Sequence, residues 1–441
     1  MKVRMAVRYA CVMFLMLAVP ARAALAQGQN GHHWVATWAS AQQQGRGAAP
    51  ARGAAPPAAA AAPPASPPAL APPATPAVPP PPRSLHDQTV RMIVRTSIGG
   101  IRTRVQLSNA YGTAPLDIGA AHVAIRNHDA EIVPESDRPL LFGGRPSVMI
   151  PPGAAMVSDP VDLAPLGLRD LAVSIYIPGD APLNSGHSLA LHTTYVGSGG
   201  NMAGAAAMAD AMTTQAWYWL ASVDVLAPGT AATVVTFGDS ITDGLTSTAN
   251  TDRGWPSRLA VRLAANHSTA GVAVANEGIS GNRVLADGAG VSALARFDRD
   301  VIAISGVRWV MILESINDIN SATRGPGVAP GQPITADTLI AALRQMIERA
   351  HTHGIKVIGC TLTPFGNDTE AGELMRTTVN SFIRGSGAFD AVVDFDAAVR
   401  DPNDPRQFRQ GFNNSDRLHP NDAGYQAMAD AVDLRIFTAK K

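Results

Sequence analysis

The sequence predicts two architectures in series: a β-sandwich, then an α/β domain in which helices cover both faces of a parallel sheet in three α/β/α layers. Three observations predict this. Between residues 84 and 228, short runs of alternating polar and apolar residues are separated by turn residues, which is the pattern of short strands. Beyond Ala227-Pro228-Gly229 the period changes, and five apolar, β-branched runs alternate with segments of helical spacing. The first of these runs, Val234-Val235-Thr236-Phe237, stops abruptly in Gly238-Asp239-Ser240. A buried parallel strand ends in this way when it delivers a residue to the carboxyl edge of an open sheet, where ligands gather.

At 441 residues the chain exceeds the size of one typical core, so more than one domain is expected. Lys+Arg and Asp+Glu number 35 each and no basic block stands out, which argues against a nucleic-acid partner. Lys2, Arg4 and Arg8 precede an apolar run over 11–19, and two small-residue sites follow, Ala21-Arg22-Ala23 and Ala24-Leu25-Ala26. This reads as a cleaved signal peptide over 1–26, with a mature chain beginning near Gln27 that is secreted or periplasmic. The run is too short to span a membrane. After cleavage Cys360 would be the one remaining cysteine, placed in the apolar run 355–361 as a buried packing residue.

Taken in order, residues 27–42 hold the first strand of the β domain, with Trp34 and Trp38 as aromatic anchors. Residues 43–83 are almost wholly Ala, Pro and Gly, which reads as a disordered spacer, because such a segment buries too little side chain to offset its ordering entropy. Strands are expected over 89–97, 102–108, 171–177 and 189–196 of the 84–228 sandwich, with turns at Gly99-Gly100 and Pro151-Pro152-Gly153. In the 229–441 domain, strands are expected over 232–237, 272–276, 308–313, 356–361 and 391–395. The helices between them cover 256–266, 291–304, 336–353, 370–384 and 422–437. Pro256 suits a first helical position, and Leu339, Leu343, Met346 and Ile347 form one apolar stripe that ends at Gly354.

Four groups of residues lie at the ends of these elements. Ser240 ends the first strand. Asn276-Glu277-Gly278-Ile279-Ser280-Gly281 follows the second, and Glu314-Ser315-Ile316-Asn317-Asp318 the third. Asp416-Arg417-Leu418-His419 precedes the final helix. A serine hydroxyl attacks esters poorly unless a base removes its proton. His419 can be that base, and a carboxylate three residues earlier can fix its tautomer and stabilise the imidazolium. Acyl transfer also needs donors aimed at the oxyanion, which the Gly281 N–H and the Asn317 side-chain amide can supply. Each group alone is ordinary turn chemistry. Together they converge on one sheet edge.

Over residues 232–437 the sequence resembles the SGNH (GDSL) hydrolase family. Gly238-Asp239-Ser240-Ile241-Thr242 matches its first block, Gly281 and Asn317 match the Gly and Asn blocks, and Asp416 with His419 matches Asp-x-x-His. The resemblance implies a flavodoxin-like fold and a secreted bacterial ester hydrolase that uses neither cofactor nor metal. Ser240 would be the nucleophile, His419 the base and Asp416 its partner, with Ser240 N–H, Gly281 and Asn317 as the oxyanion hole. The expected reaction runs through a Ser-acyl intermediate on short acyl or acetylated carbohydrate esters, the substrate being a small-molecule or polysaccharide ester. A lipase or lysophospholipase-type acylhydrolase is the alternative, and a non-catalytic carbohydrate-binding protein on the same scaffold is a third reading. One position departs from the family, which has Gly where this chain has Ser315. The Ser315 hydroxyl is expected to occupy part of the acyl or alcohol pocket, in preference to a strained backbone.

Overall fold

The computed structural model describes residues 31–45, 83–324, 333–366 and 369–438. The expected signal peptide and nearly all of the Ala/Pro/Gly segment lie outside the described residues.

The β-rich region carries two larger antiparallel sheets. In one, His32–Ala39 pairs with Leu220–Pro228, which pairs with Thr103–Ser108 and then Ala155–Val157. In the other, Gln88–Arg95 and Asp170–Ile177 form the centre, flanked by Thr194–Val196 and Met212–Thr214 on one side and Ala120–Ile125 and Arg138–Pro139 on the other. Alternation decides what each strand buries. Val105, Leu107, Leu220 and Val223 of the first sheet share one apolar cluster with Val90, Met92, Val94, Leu171, Val173 and Ile175 of the second.

Two boundaries differ from expectation. The strand expected over 189–196 is confined to Thr194–Val196, and Ser185–His187 forms a separate strand. That strand pairs with Gln43–Gln44, so Gln43 belongs to the fold and not to the spacer. The Gln43 side chain is buried, donating to Ala289 O and accepting from Ser188 N.

The second half is an all-parallel sheet. Its strands are β1 (Ala232–Gly238), β2 (Val272–Gly278), β3 (Val307–Leu313), β4 (Lys356–Cys360) and β5 (Ala391–Val393), in the spatial order β2-β1-β3-β4-β5. Every residue of β1 is buried, as a central strand covered on both faces requires. Helix α1 (Ser240–Asp243) is a single turn directly after β1. Helix α2 (Trp255–Ala265) starts with Pro256 in its first turn and buries Trp255, Leu259 and Leu263. Helix α3 (Ala293–Phe297) continues into a π-helical turn over Asp298–Ile302.

Helix α4 (Ile316–Arg324) follows β3 and is not among the helices expected from the sequence; burial of Ile316 and Ile319 outweighs the poor helix propensity of its Asn, Asp, Ser and Thr residues. Helix α5 (Ala336–Thr352) opens with a capping box between Thr335 and Thr338 and stops at Gly354, whose φ is 70°. Helix α6 (Glu370–Gly385) is capped by Thr369, and the short α7 (Phe395–Val399) by Asp394. The final helix, α8 (Asp422–Asp430), is shorter than expected and gives way to a 3-10 turn over Leu434–Thr438. Cys360 ends β4 inside the core, where burial pushes its thiol up.

β2 is an edge strand and would present unpaired backbone groups. The β-rich region covers it. Val274 N donates to Ser97 Oγ at 2.9 Å, and Ser40 bridges to Asn276 in a parallel sense. Ala39 joins the apolar cluster of the parallel sheet, while Val35, Ile98 and Val225 cluster with Ala273. The two halves therefore meet along the edge strand that leads into the Gly281 loop.

Candidate active site

The turn after β1 is fixed by what surrounds it. A Cβ at Gly238 would lie 2.2 Å from Thr242 Oγ1 and 2.5 Å from Leu313 O, so only glycine fits. Asp239 caps α1, its carboxylate accepting from Ile241 N at 3.0 Å. α1 ends after four residues because Gly244 takes a left-handed conformation with φ 99°. Ser240 is thus held at the first position of a single helical turn, 6% exposed.

Ser240 Oγ lies 2.8 Å from His419 Nε2, and His419 Nδ1 lies 2.6 Å from Asp416 Oδ2. The ionised carboxylate can only accept, so Nδ1 carries the hydrogen and Nε2 is left free to accept the serine proton. Asp416 Oδ1 accepts from Leu418 N and His419 N, each at 3.0 Å, closing a turn in which Arg417 adopts φ 58°. Burial works against the Asp416 charge, but the His419 side chain and these two backbone donors hold its carboxyl below the ordinary value. The two loops are also tied together: Thr246 Oγ1 donates to Pro420 O, Thr248 to Asp422, and the Tyr425 hydroxyl of α8 to Leu245 O at 2.7 Å.

The loops after β2 and β3 join the same edge. Gly281 has φ 80°, which suits glycine, and it lies at the surface. The Asn317 side-chain amide donates to Asn282 O at 2.9 Å, so the Asn and Gly loops are hydrogen-bonded to each other with one amide hydrogen of Asn317 left over. Ile279 N donates to Gly238 O at 2.9 Å, which ties the Gly loop to the turn carrying Ser240. The triad and oxyanion residues expected at the site, Ser240, Gly281, Asn317, Asp416 and His419, are therefore drawn to one carboxyl edge, and Ser240, His419 and Asp416 form a continuous hydrogen-bonded line.

Ser315 corrects an expectation. It is fully buried, its φ is 117°, and its hydroxyl has no hydrogen-bond partner. It therefore does not line an acyl or alcohol pocket. The departure from glycine is a matter of backbone conformation: a residue bearing a Cβ is held at a positive φ that glycine adopts without strain.

Sequence reasoning missed the residue that holds these loops together. Arg296 of α3 is 1% exposed, and its guanidinium donates to four backbone and side-chain acceptors. These are Asn282 Oδ1 at 2.8 Å, Glu277 O at 2.7 Å, Gly238 O at 3.0 Å and Asp300 Oδ2 at 3.1 Å. Glu314 lies 3.6 Å away, and the guanidinium stacks 4.0 Å above the Phe237 ring. One cation thus touches the ends of β1, β2 and β3. The signal was present: an arginine between Ala295 and Phe297 interrupts an otherwise apolar helical face.

A layer of carboxyl groups lies beneath the turn. Burial, with the nearby charges of Asp318 and Asp243, raises Asp239 to about 7. Burial raises Asp318 to about 6, against the pull of hydrogen bonds from Val284 N and Leu285 N. Burial also pushes Glu277 and Glu314 well above the ordinary carboxylate range. Elsewhere, His351 at the end of α5 pairs with Asp390 at 2.9 Å. Among the described residues no group of three or more His, Cys, Asp or Glu side chains is arranged to hold a metal ion.

A parallel α/β sheet with a Ser-His-Asp line at its carboxyl edge is the framework of a serine hydrolase. Residues 234–432 match the family model for GDSL-like Lipase/Acylhydrolase, and this domain belongs to that family of ester hydrolases. Solved structures similar to the chain include an acetylxylan esterase from Geobacillus stearothermophilus, 23% identical, with a TM-score of 0.36, covering 47% of this chain and 95% of that one. An α/β hydrolase enzyme from the metagenome of Lake Arreo, Spain, is 22% identical, with a TM-score of 0.37, covering 47% of this chain and 96% of that one. No curated protein matches the chain. Nothing about the substrate follows from these likenesses.

Proposed function

We propose that the protein is an exported serine carboxylic-ester hydrolase that works through an acyl-Ser240 intermediate on short-chain acyl esters or O-acetylated carbohydrates. The observation that carries the chemistry is the line Ser240 Oγ–His419–Asp416, with separations of 2.8 and 2.6 Å. In the first half-reaction Ser240 Oγ bonds to the ester carbonyl carbon while its proton passes to His419 Nε2. The carbonyl oxygen becomes an oxyanion, met by the N–H groups of Ser240 and Gly281 and the remaining amide hydrogen of Asn317. Collapse breaks the carbon–oxygen bond to the alcohol, which departs with the proton from His419. Water then repeats the sequence on the acyl-serine and releases the acid. Asp416 keeps His419 in the required tautomer and offsets its charge when protonated.

The preference for a small acyl group rests on how far the nucleophile is recessed: Ser240 is 6% and His419 8% exposed. The β-rich region, read as a β-sandwich, covers the β2 edge. Export rests on the amino-terminal sequence; among the described residues no helix is long and apolar enough to cross a membrane. The intact Ser-His-Asp line argues against a non-catalytic scaffold. Hydrolysis of p-nitrophenyl esters of increasing chain length, alongside acetylated polysaccharides, tests the substrate class. We expect kcat/KM to be highest for acetyl to butyryl esters. A steady rise towards long chains would replace this reading with the lipase one.

A further inference from the structure

We propose that His187, supplied by the β-rich region, is a positioning residue for the Ser280–Gly281 turn, acting through Asp243 of the nucleophile helix. The inference rests on the reading of Gly281 as an oxyanion donor. His187 ends the strand Ser185–His187, and Asp243 is the last residue of α1, the turn that begins with Ser240. The two side chains are 3% and 4% exposed, and His187 Nε2 lies 2.9 Å from Asp243 Oδ1. The other ring nitrogen, Nδ1, lies 2.9 Å from Ala41 O.

The protonation of the ring follows from its partners. A carbonyl oxygen only accepts, so Nδ1 carries a hydrogen. Asp243 Oδ2 accepts from two donors, Ser280 N at 2.9 Å and Ser280 Oγ at 2.6 Å, as an ionised carboxylate does. Its Oδ1 is then also an acceptor, and Nε2 carries a hydrogen as well. His187 is an imidazolium in this arrangement. Burial by itself disfavours that charge, but the Asp243 charge, its hydrogen bond and the Ala41 carbonyl outweigh burial and raise His187 above its ordinary value.

Asp243 thus stands between two parts of the site. On one side it is built into the turn that carries Ser240. On the other it grips both the backbone and the side chain of Ser280, the neighbour of Gly281. The contact is close: a Cβ at Gly278 would lie 2.3 Å from Asp243 N. A carboxylate held from the far side by a fixed imidazolium cannot turn away from Ser280. Without the imidazolium it is a buried charge that must recruit water or rotate, and the turn shifts with it. Small displacements of this kind are expensive in rate: about 1 Å costs on the order of 100-fold. The β-rich region is on this account part of the catalytic unit and not a separate appendage.

The test uses the full chain and four variants: His187→Gln, Asp243→Asn, the double variant of these two, and Ser280→Ala, with Ser240→Ala as the reference. Loss of activity in Ser240→Ala establishes the underlying reading first; full activity there would overturn that reading, and this one with it. Given that loss, His187→Gln and Asp243→Asn should each lower kcat roughly 10- to 100-fold with KM within about twofold. Phosphonylation of Ser240, which also develops an oxyanion, should slow by a similar factor. The double variant should be no slower than the worse single one, because both act on one link. Unchanged kcat, a rise in KM alone, or losses that multiply in the double variant would overturn the proposal. Ser280→Ala leaves the buried pair intact, so it decides the matter if the pair variants do not fold. It should lower kcat about 5-fold at constant KM, the effect of one lost hydrogen bond, and an unchanged kcat would overturn the proposal.

Discussion

Replacing Ser315 with glycine should stabilise the protein, and the structure sets the size of the effect. Ser315 has φ 117°, in a region that residues bearing a Cβ rarely adopt, and relief of that strain is worth about 1–2 kcal/mol. Its fully buried hydroxyl has no partner, and removing an unsatisfied polar group of that kind recovers a further ~1–3 kcal/mol. Against this stand the greater freedom of glycine in the unfolded chain, about 0.5–1 kcal/mol, and the loss of one buried methylene, about 0.8 kcal/mol. The balance is a gain of about 2 kcal/mol, within bounds of about 0.2 and 3.7 kcal/mol, at about 2–4 °C in Tm for each kcal/mol in a domain of this size. Thermal unfolding of Ser315→Gly beside the parent measures it. Relative kcat/KM across the ester series should stay the same, because the side chain reaches no pocket. An unchanged or lowered Tm, or a shift in ester preference, would refute the reasoning.

Other expectations follow from the same geometry. Asp239 is raised from an ordinary 3.8 to about 7, so the folded protein keeps a proton that the unfolded chain releases, and stability falls as pH rises across that window. Asp239→Asn, which preserves the cap, should therefore raise Tm over the parent at about pH 8 and leave it nearly equal at about pH 4; a difference independent of pH would contradict this. Asn317→Ala should lower kcat by roughly 100- to 1,000-fold, as loss of an oxyanion donor does, with folding intact by circular dichroism. Asp416→Asn should cost on the order of 100-fold or more in kcat by mis-setting the His419 tautomer, and an unchanged rate would remove Asp416 from the mechanism.

Much of this was legible because it is written locally. β-branched runs ending in Gly-Asp-Ser, Gly281 and Asn317 one strand apart, and Asp-x-x-His before the last helix are short-range patterns that need no tertiary information. What stayed hidden was written across distance. Arg296 reaches Gly238, Glu277 and Asn282, and no spacing rule links an arginine inside one helix to the ends of three strands. The His187–Asp243 pair joins the two halves of the chain over 56 positions. Helix α4 is absent from the helices expected from the sequence: its Asn, Asp, Ser and Thr residues have poor helix propensity, and burial of Ile316 and Ile319, a tertiary effect, decides otherwise. At Ser315 residue type suggested a pocket, and only the backbone dihedral shows that the issue is conformational. Gln43 looked like the first residue of a low-complexity segment, yet its side chain is buried in hydrogen bonds to Ala289 and Ser188.

The central claim is that Ser240 is an activated nucleophile, and the most direct measurement is labelling of the intact protein with an organophosphonate ester followed by peptide mapping. Only a hydroxyl relieved of its proton by a base attacks phosphorus readily. The account predicts one phosphonate per chain, attached at Ser240, with loss of esterase activity in proportion to labelling and no labelling in Ser240→Ala or His419→Ala. Labelling at another residue, or esterase activity that persists in Ser240→Ala, would contradict it.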